Sequence, residues 1–453
     1  MDSLRRFIVC VDPNAAWRNA LKPNRRTFLK SAATCAPTVA MLRAPAQSAV
    51  KPQAIAPLPA KLAVERWPAE FDVAPGIINL ENGYWGLMPV RTAALYAEKT
   101  AYVNRFNSIW GRGVLPGDNS AADFRAGRAA IASMVGVAYE ECALTRSGTE
   151  GLQTLIVQYK NLKPGDTVIC CDLDYDTTLS AMDYLGDHRG AKVVRFDMPE
   201  PASEANVLQA YEDALKANPG TKMMLVTQVS HRTGLVSPVK KIVAMARARG
   251  VDCIVDIAHG VGCLDFKISD LECDFAAWSV HKWTMAPLGT GAMYIRKSRI
   301  ADIDIHYDNH EVPPDDITAR VPPGVTNFAA TLTLPACVEF YNATGGKVRE
   351  DHLRMLRDRW VHAVKDLPNV DILVPDNPAN YCAITSFRLK GMHTVADALK
   401  VQHRLFDKYK IHTVFRKGVA KGPVIRVTPS LYNTVADMDA LAAALRAEHG
   451  ILV

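Results

Sequence analysis

The sequence predicts an α/β fold in which a mostly parallel sheet is covered on both faces by helices, with a smaller α/β domain at the C-terminal end. Three observations carry this. From about residue 145 onward, short unbroken apolar runs alternate with helical stretches of roughly 10 to 15 residues, the pattern of parallel strands buried on both faces. Polar clusters follow the carboxyl ends of these runs, where open α/β sheets place their ligands. With 453 residues, 49% of them hydrophobic and 22% charged, the chain can hold two or three domains with a large core and has an ordinary globular composition.

The net charge of +6 is unevenly spread. Residues 1–46 carry eight Lys and Arg against Asp2 and Asp12, so of the 53 basic and 47 acidic residues, 45 of each remain in residues 47–453. That neutral body gives no reason to expect a nucleic-acid or anionic-membrane partner. Within residues 1–46, Asn24-Arg25-Arg26-Thr27-Phe28-Leu29-Lys30 precedes an Ala-rich apolar stretch, Ser31 to Leu42, and the small residues Ala44-Pro45-Ala46. This order of basic, apolar and small residues is that of a secretory leader, and the arginine pair before Phe-Leu-Lys resembles a twin-arginine signal. The apolar stretch falls short of the roughly 20 residues of a membrane span. A periplasmic destination reached through the twin-arginine translocase is therefore expected; that route carries folded proteins, with any cofactor already loaded.

Residues 47–76, with Pro52, Pro57, Pro59 and Pro68, read as an extended linker. Residues 77–92 form a short strand that breaks into the glycine-flanked loop Asn82-Gly83-Tyr84-Trp85-Gly86. Helices are expected over Arg91 to Trp110 and Asp123 to Val135. The alternation then places strands at Val168 to Cys171, Ala191 to Phe196, Met223 to Gln228 and Val251 to Val255. Helices lie between them, after Ser147, around Leu179, over Val207 to Ala217 and over Pro238 to Ala248. A further strand-like run enters Ser279-Val280-His281-Lys282-Trp283, and a loop with Pro287, Gly289 and Gly291 follows. The large domain is assigned to residues 93–325. In the small domain, 326–453, helices are expected over Leu334 to Asn342, Asp351 to Leu367 and Val435 to Glu448, with strands at Tyr381 to Leu389 and Val424 to Val427. Eight cysteines lie beyond the leader, without Cys-x-x-Cys or zinc spacing, and read as buried core thiols.

Four polar clusters fall at strand ends: Asp174-Tyr175-Asp176, Gln228 to Arg232, Asp256 to His259 and Ser279 to Lys282. A lysine ending a buried strand suits a Schiff base to an aldehyde cofactor, because desolvation lowers its pKa and frees the neutral amine. A lysine that merely snorkels from a strand end is the plain alternative. Ser147-Gly148-Thr149 before a helix offers N–H groups and hydroxyls to a phosphate, or simply an N-cap. A pyridine ring used as an electron sink needs a carboxylate at its nitrogen, and Asp256 is the natural candidate. Neither Gly-x-Gly-x-x-Gly nor Gly-x-x-x-x-Gly-Lys-Ser/Thr occurs, against a dinucleotide or P-loop use of the sheet.

From about Asn79 the chain resembles class V of the fold-type I pyridoxal-phosphate enzymes, the group of cysteine desulfurases and isopenicillin N epimerase-like proteins. Ser-Gly-Thr-Glu-Gly at 147, Asp-Tyr at 174, Ser-His-Arg-Thr-Gly at 230, Asp-Ile-Ala-His at 256, Ser-Val-His-Lys-Trp at 279 and Arg-Val-Thr-Pro-Ser-Leu-Tyr-Asn at 426 carry the resemblance. It implies a large domain with a mainly parallel seven-stranded sheet and pyridoxal 5′-phosphate as cofactor. Lys282 is the implied Schiff-base lysine and mover of the α-proton. Asp256 would pair with the ring nitrogen, Ala258 pack under the ring and Tyr175 stack on its other face, with His231 and His259 near the ring hydroxyl. Gly148, Thr149, Ser279 and His281 would hold the phosphate. Arg426 would clamp the substrate carboxylate, with Asn82, Tyr84, Trp85 and Arg232 bordering the substrate. The family builds its site between two subunits, so a homodimer is implied. Val325 stands where a threonine for the partner's phosphate is expected, leaving Thr326 or Asn327 to serve.

The implied activity is chemistry at the α-carbon of an amino acid, free or borne on a peptide. An export signal on such a body also resembles periplasmic enzymes that remodel the glutamate side arm of pyoverdine siderophores. Transamination and epimerisation share the first steps, and a non-catalytic binding protein on the same fold is a further reading. A cysteine desulfurase needs a nucleophilic cysteine on a mobile loop, whereas Cys337 falls in an expected helix and Cys382 in an expected strand.

Overall fold

The computed structural model describes residues 57–114, 120–448 and 450. The expected leader, Arg25 and Arg26 included, lies outside the described residues. In chain order the elements are β1 (Ile78–Asn79), α1 (Val90–Gly111), α2 (Ser120–Val135), β2 (Cys142–Thr145), α3 (Gly148–Val157), β3 (Thr167–Cys171), α4 (Asp176–Arg189), β4 (Lys192–Phe196), α5 (Glu204–Ala217), β5 (Thr221–Thr227), α6 (Val239–Arg247), β6 (Asp252–Asp256), α7 (Ile268–Leu271), β7 (Phe275–Ser279) and β8 (Gly291–Ile295). There follow α8 (Phe328–Thr344), α9 (Gly346–Val364), β9 (Val370–Ile372), β10 (Thr385–Leu389), α10 (Val395–Tyr409), β11 (Ile411–His412), β12 (Val414–Arg416), β13 (Val424–Val427) and α11 (Val435–Glu448).

Seven strands make the large sheet, in the order β2-β8-β7-β6-β5-β3-β4. It is parallel except for β8, which runs antiparallel to both β7 and β2. Every residue of β3, β7 and β8 is buried, which explains their continuous apolar runs. The edge strand β4 exposes Lys192 and Arg195, charges that discourage a further strand from adding there. Helix α6 buries Val239, Ile242, Val243 and Ala246, the i, i+3, i+4, i+7 stripe that packs a helix on a sheet. Helix α3 lies close behind the sheet: a Cβ at Gly151 would stand 2.8 Å from that of Ala277. The expected α/β architecture is thus present.

The smaller part holds the antiparallel sheet β12-β13-β10-β9, with Trp360, Leu356, Met438, Leu441 and Leu445 of α9 and α11 buried in its core. Three features differ from the sequence expectation. The stretch read as linker is folded onto the body from residue 57: a 3₁₀ turn over Val64–Glu70 buries Trp67 completely, and Leu62 N–H donates to Ala343 O. Prolines set an extended backbone there, but Leu62, Trp67 and Phe71 find an apolar surface to cover. Strand β1, read as the start of a separate loop segment, pairs in parallel with β11 and so joins the smaller part. Strands β2 and β8 are absent from the sequence expectation, β2 because it is only four residues long and β8 because it begins on Gly291, inside an apparent loop. The missing side chain of that glycine lets β8 pass Ser147, whose carbonyl carbon would lie 2.3 Å from a Cβ. No helix among the described residues is long and apolar enough to cross a membrane.

Candidate active site

The carboxyl ends of β3, β5, β6 and β7 open onto one cavity of about 730 Å³, lined by Lys282, Tyr175, His231, His259, Ser279, His281, Thr149 and Arg426. A narrower pocket beneath it shares six of these and adds Gly148, Asp256 and Ala258. Parallel register explains the convergence: Thr227 stands beside Asp256 and Asp256 beside Ala277, so successive strand ends deliver their polar residues to one place.

Lys282 follows β7 and is held by His259, whose Nε2 lies 3.0 Å from Nζ. Burial pushes the Lys282 amine down to about 8, with the Asp256 carboxylate opposing the shift and Arg426 and Arg416 adding to it. Burial raises the pKa of Asp256, against the charge of Lys282 and an N–H donated by Ala258 at 2.9 Å. Burial also holds His259 and His231 well below the ordinary imidazole range, reinforced at His259 by Lys282 and at His231 by Arg232. The Tyr175 ring lies 5.9 Å from Lys282 Nζ and meets His231 edge-on at 5.0 Å.

At the far side, Ser147 caps α3 by accepting from Glu150 N–H. Gly148 N–H donates to Ser279 Oγ at 3.1 Å. A Cβ at Gly148 would stand 2.7 Å from Ser279 N, so only glycine lets the helix N-terminus approach the end of β7. His281 Nδ1 donates to Thr290 O at 2.9 Å, fixing its ring beside the same spot. A helix N-terminus with hydroxyls, a buried carboxylate and a depressed lysine are the donor set of a phosphorylated pyridine aldehyde. His231 Nδ1 is also buried without a partner within the protein. The residues fit that cofactor.

Arg426 does line the cavity, but both ends of its fork are engaged: Nη1 donates to His231 O at 2.8 Å and Nη2 to Glu81 Oε1. Tyr84 and Trp85 stand exposed at the cavity mouth with ring centroids 4.7 Å apart.

Two expected substrate contacts are placed elsewhere. Asn82 is 3% exposed and ties Thr428 O and Tyr432 Oη instead of facing the cavity. Arg232 is buried off the cavity, bonding Asp176 Oδ1, Asp174 O and Lys417 O; it anchors the segment after β12 against the strand ends. Thr326, expected to serve the partner subunit's phosphate, lines a second cavity with Phe124, Arg128 and Phe328.

Sequence reasoning missed Glu81, Arg416, Trp283 and Arg349. Arg416 could have been found by alternation. Val414 faces Arg426 across β12 and β13, so Val414, Arg416 and Arg426 share one face of that sheet. All eight described cysteines are buried, and burial pushes the Cys337 thiol up to about 12.

With this geometry the chain belongs to the class V aminotransferases, the family that matches residues 93–441. It is accordingly a pyridoxal-phosphate-dependent enzyme, with the cofactor of that family. It is similar to the isopenicillin N epimerase of Streptomyces clavuligerus, 25% identical over 342 residues that span 71% of this chain and 84% of the relative. It is also similar to a cysteine desulfurase of Serratia proteamaculans, 25% identical over 68% of this chain and 77% of that one. Among solved structures, the cysteine desulfurase CsdA of Escherichia coli superposes with a TM-score of 0.72 at 20% identity, covering 86% of this chain and all of its own. A mutant of C-DES with glycine covalently linked to the PLP-cofactor gives 0.71 at 17% identity, covering 85% and 99%. These two likenesses speak to the fold.

Proposed function

We propose that the protein is an exported enzyme acting at the α-carbon of an amino acid, free or borne on a peptide. The observation that carries this is a buried Lys282 amine, pushed down to about 8 and 3.0 Å from His259, facing a cavity that also holds the Arg426 guanidinium. Pyridoxal 5′-phosphate, when bound, supplies an electron sink for charge that develops at the α-carbon. Thr149 and Ser279, with the α3 N-terminus, hold its phosphate, and the Asp256 carboxylate keeps a proton at the ring nitrogen. Lys282 Nζ takes and returns the α-proton. Arg426, held by His231 O and Glu81, and Arg416 beside it supply the positive charge that draws the substrate carboxylate into the cavity, and Tyr84 and Trp85 border the entrance.

The cavity opens to solvent past the exposed Tyr84 and Trp85, which leaves room outside it for the rest of a peptide-borne substrate. The glutamate side arm of a siderophore peptide is the first candidate, its α-amino group leaving as ammonia and its α-carboxyl group as carbon dioxide, with dioxygen as the electron acceptor. Export rests on Arg25 and Arg26, and a homodimer on membership of the class V family. Inversion at the α-carbon is the second reading, favoured by the likeness to isopenicillin N epimerases. Desulfuration is opposed by the burial of every described cysteine, since that chemistry needs a reachable thiolate.

The test is incubation of the holoenzyme with amino acids and with glutamate-bearing siderophore peptides, with and without a keto acid and oxygen, followed by chiral chromatography and mass spectrometry. Transfer, inversion and oxidative loss of carbon dioxide give different masses or chirality. A protein that changes none of these substrates refutes the proposal. Replacing Arg25 and Arg26 by Lys should retain the protein in the cytoplasm, and unchanged export would refute the export route.

A further inference from the structure

Arg416 ends β12, a three-residue strand at the edge of the small sheet that pairs with β13. Its guanidinium lines the Lys282 cavity and donates from Nη2 to Glu81 Oε1 at 3.3 Å. The chain then enters the loop 417–423, where Gly418 and Gly422 stand at φ of +86° and +113°. A short edge strand that runs into a loop bent at glycines does not by itself fix a long side chain. The hold comes from the large domain.

Arg232 is 2% exposed, and its fork grips both sides of a junction. Nη1 donates to Lys417 O, while Nη2 donates to Asp176 Oδ1 at 2.8 Å and to Asp174 O at 3.3 Å. The first carbonyl belongs to the residue that follows Arg416; the other two acceptors flank Tyr175. Gly418 makes room for the grip, since a Cβ there would stand 1.9 Å from Arg232 Nη1. Close by, Ala420 N–H donates to Asp172 Oδ2 at 3.1 Å. A buried guanidinium needs its partners, so the two segments cannot part without stranding a charge. Around Lys282, burial holds the amine down, with Asp256 and Glu81 opposing and Arg426 and Arg416 reinforcing. The imidazoles of His259, His231 and His281 beside it are held below their ordinary range chiefly by burial, and the Tyr175 ring lies 5.9 Å from Nζ.

We infer that Arg232 is a positioning residue for Arg416: by sewing the loop after β12 to the turn that carries Tyr175, it keeps the Arg416 guanidinium in the Lys282 cavity. Loosening the grip lets that charge move toward solvent. Lys282 then gains a proton more readily, and the neutral amine that takes up the cofactor becomes scarcer at a given pH. This rests on the reading of Lys282 as the cofactor lysine.

The pH at which the cofactor-free protein loads half-maximally with pyridoxal 5′-phosphate tests it, followed by absorbance. Arg416→Met should raise that midpoint by about half a unit to one unit, the effect of removing one cation from a desolvated site. Gly418→Ala alters no charge but pushes on Arg232, and should raise the midpoint too. So should Arg232→Lys, which keeps the charge but offers a single point where the guanidinium offers a fork. Arg232→Lys combined with Arg416→Met should load within about 0.3 unit of Arg416→Met alone, because Arg232 acts through the residue already removed. A role in stability alone would lower the melting temperature and leave the midpoint in place. An unchanged midpoint in either folded single variant, or additive shifts in the double variant, overturns the inference; Arg232→Lys decides where Gly418→Ala does not fold. A parent protein that takes up no cofactor at any pH overturns the reading of Lys282 and this inference with it, whereas a parent that loads normally beside variants that keep its midpoint overturns this inference alone.

Discussion

The indole N–H of Trp283 donates to Nδ1 of His259 at 3.3 Å. An indole nitrogen is a donor only, so Nδ1 must be the acceptor and the proton of the neutral imidazole sits on Nε2. That nitrogen faces Lys282 Nζ at 3.0 Å. An Nε2–H can bond only to an amine with a free lone pair, so the tautomer set by Trp283 favours the neutral form of Lys282. Geometry and burial therefore push the lysine in the same direction.

Trp283→Phe removes the donor and frees His259 to carry its proton on Nδ1. Nε2 then accepts from the charged ammonium, and the Lys282 pKa rises. The pH at which cofactor loading becomes half-maximal should move upward from the parent value, with a stability loss of about 1–2 kcal/mol for the smaller ring. An unchanged pH profile in a folded variant would refute the role given to Trp283.

Loading of the cofactor-free protein should itself follow the Lys282 amine. The neutral amine is the reactive form, so the rate climbs as pH rises through about 8 and levels off above it. Stopped-flow absorbance at several pH values measures this. A climb centred near the ordinary lysine value would mean that burial does not depress the group.

The loop bearing Tyr84 and Trp85 is seated on the lysine loop by backbone alone. Gly86 N–H donates to His281 O at 2.8 Å, and a Cβ at residue 86 would lie 2.0 Å from Lys282 O. Gly86→Ala should cost about 1–3 kcal/mol and lower cofactor occupancy, read as melting temperature and absorbance. A variant that melts and loads like the parent would show that the two loops are not in register.

Arg349 is fully buried and bonds Gly262 O at 3.2 Å, Thr344 Oγ1 and Trp283 O. It ties α9 to the segment that carries Trp283 and Lys282. Arg349→Met leaves carbonyls unpaired in the core and should cost about 3 kcal/mol, lowering the urea midpoint with little change in slope. A midpoint within error of the parent would refute the tie.

The β/α alternation is legible because β3, β5 and β6 each carry a continuous apolar run, Val168 to Cys171, Met223 to Val226 and Cys253 to Val255, as strands covered on both sides do. Strands β2 and β8 were not, since Cys142 to Thr145 is only four residues long and β8 begins on a glycine inside an apparent loop. Lys282, Asp256, Tyr175 and the Ser147 turn could be grouped in advance because each follows its own strand and parallel register does the rest. Glu81 could not: its partner Arg426 is 345 residues away, and the bridge of Glu81 to Thr428, just past β13, brings them together. Asn82 and Arg232 were misread for a related reason. Their side chains point into tertiary junctions, a choice that neither residue type nor spacing reveals.

The most direct test of Lys282 as the cofactor lysine is borohydride reduction of the yellow holoprotein followed by peptide mass spectrometry. One phosphopyridoxyl group should be found, on the peptide that contains Lys282, and it should be absent from Lys282→Ala. A label on another lysine, or a native protein that takes up no cofactor, would contradict the assignment.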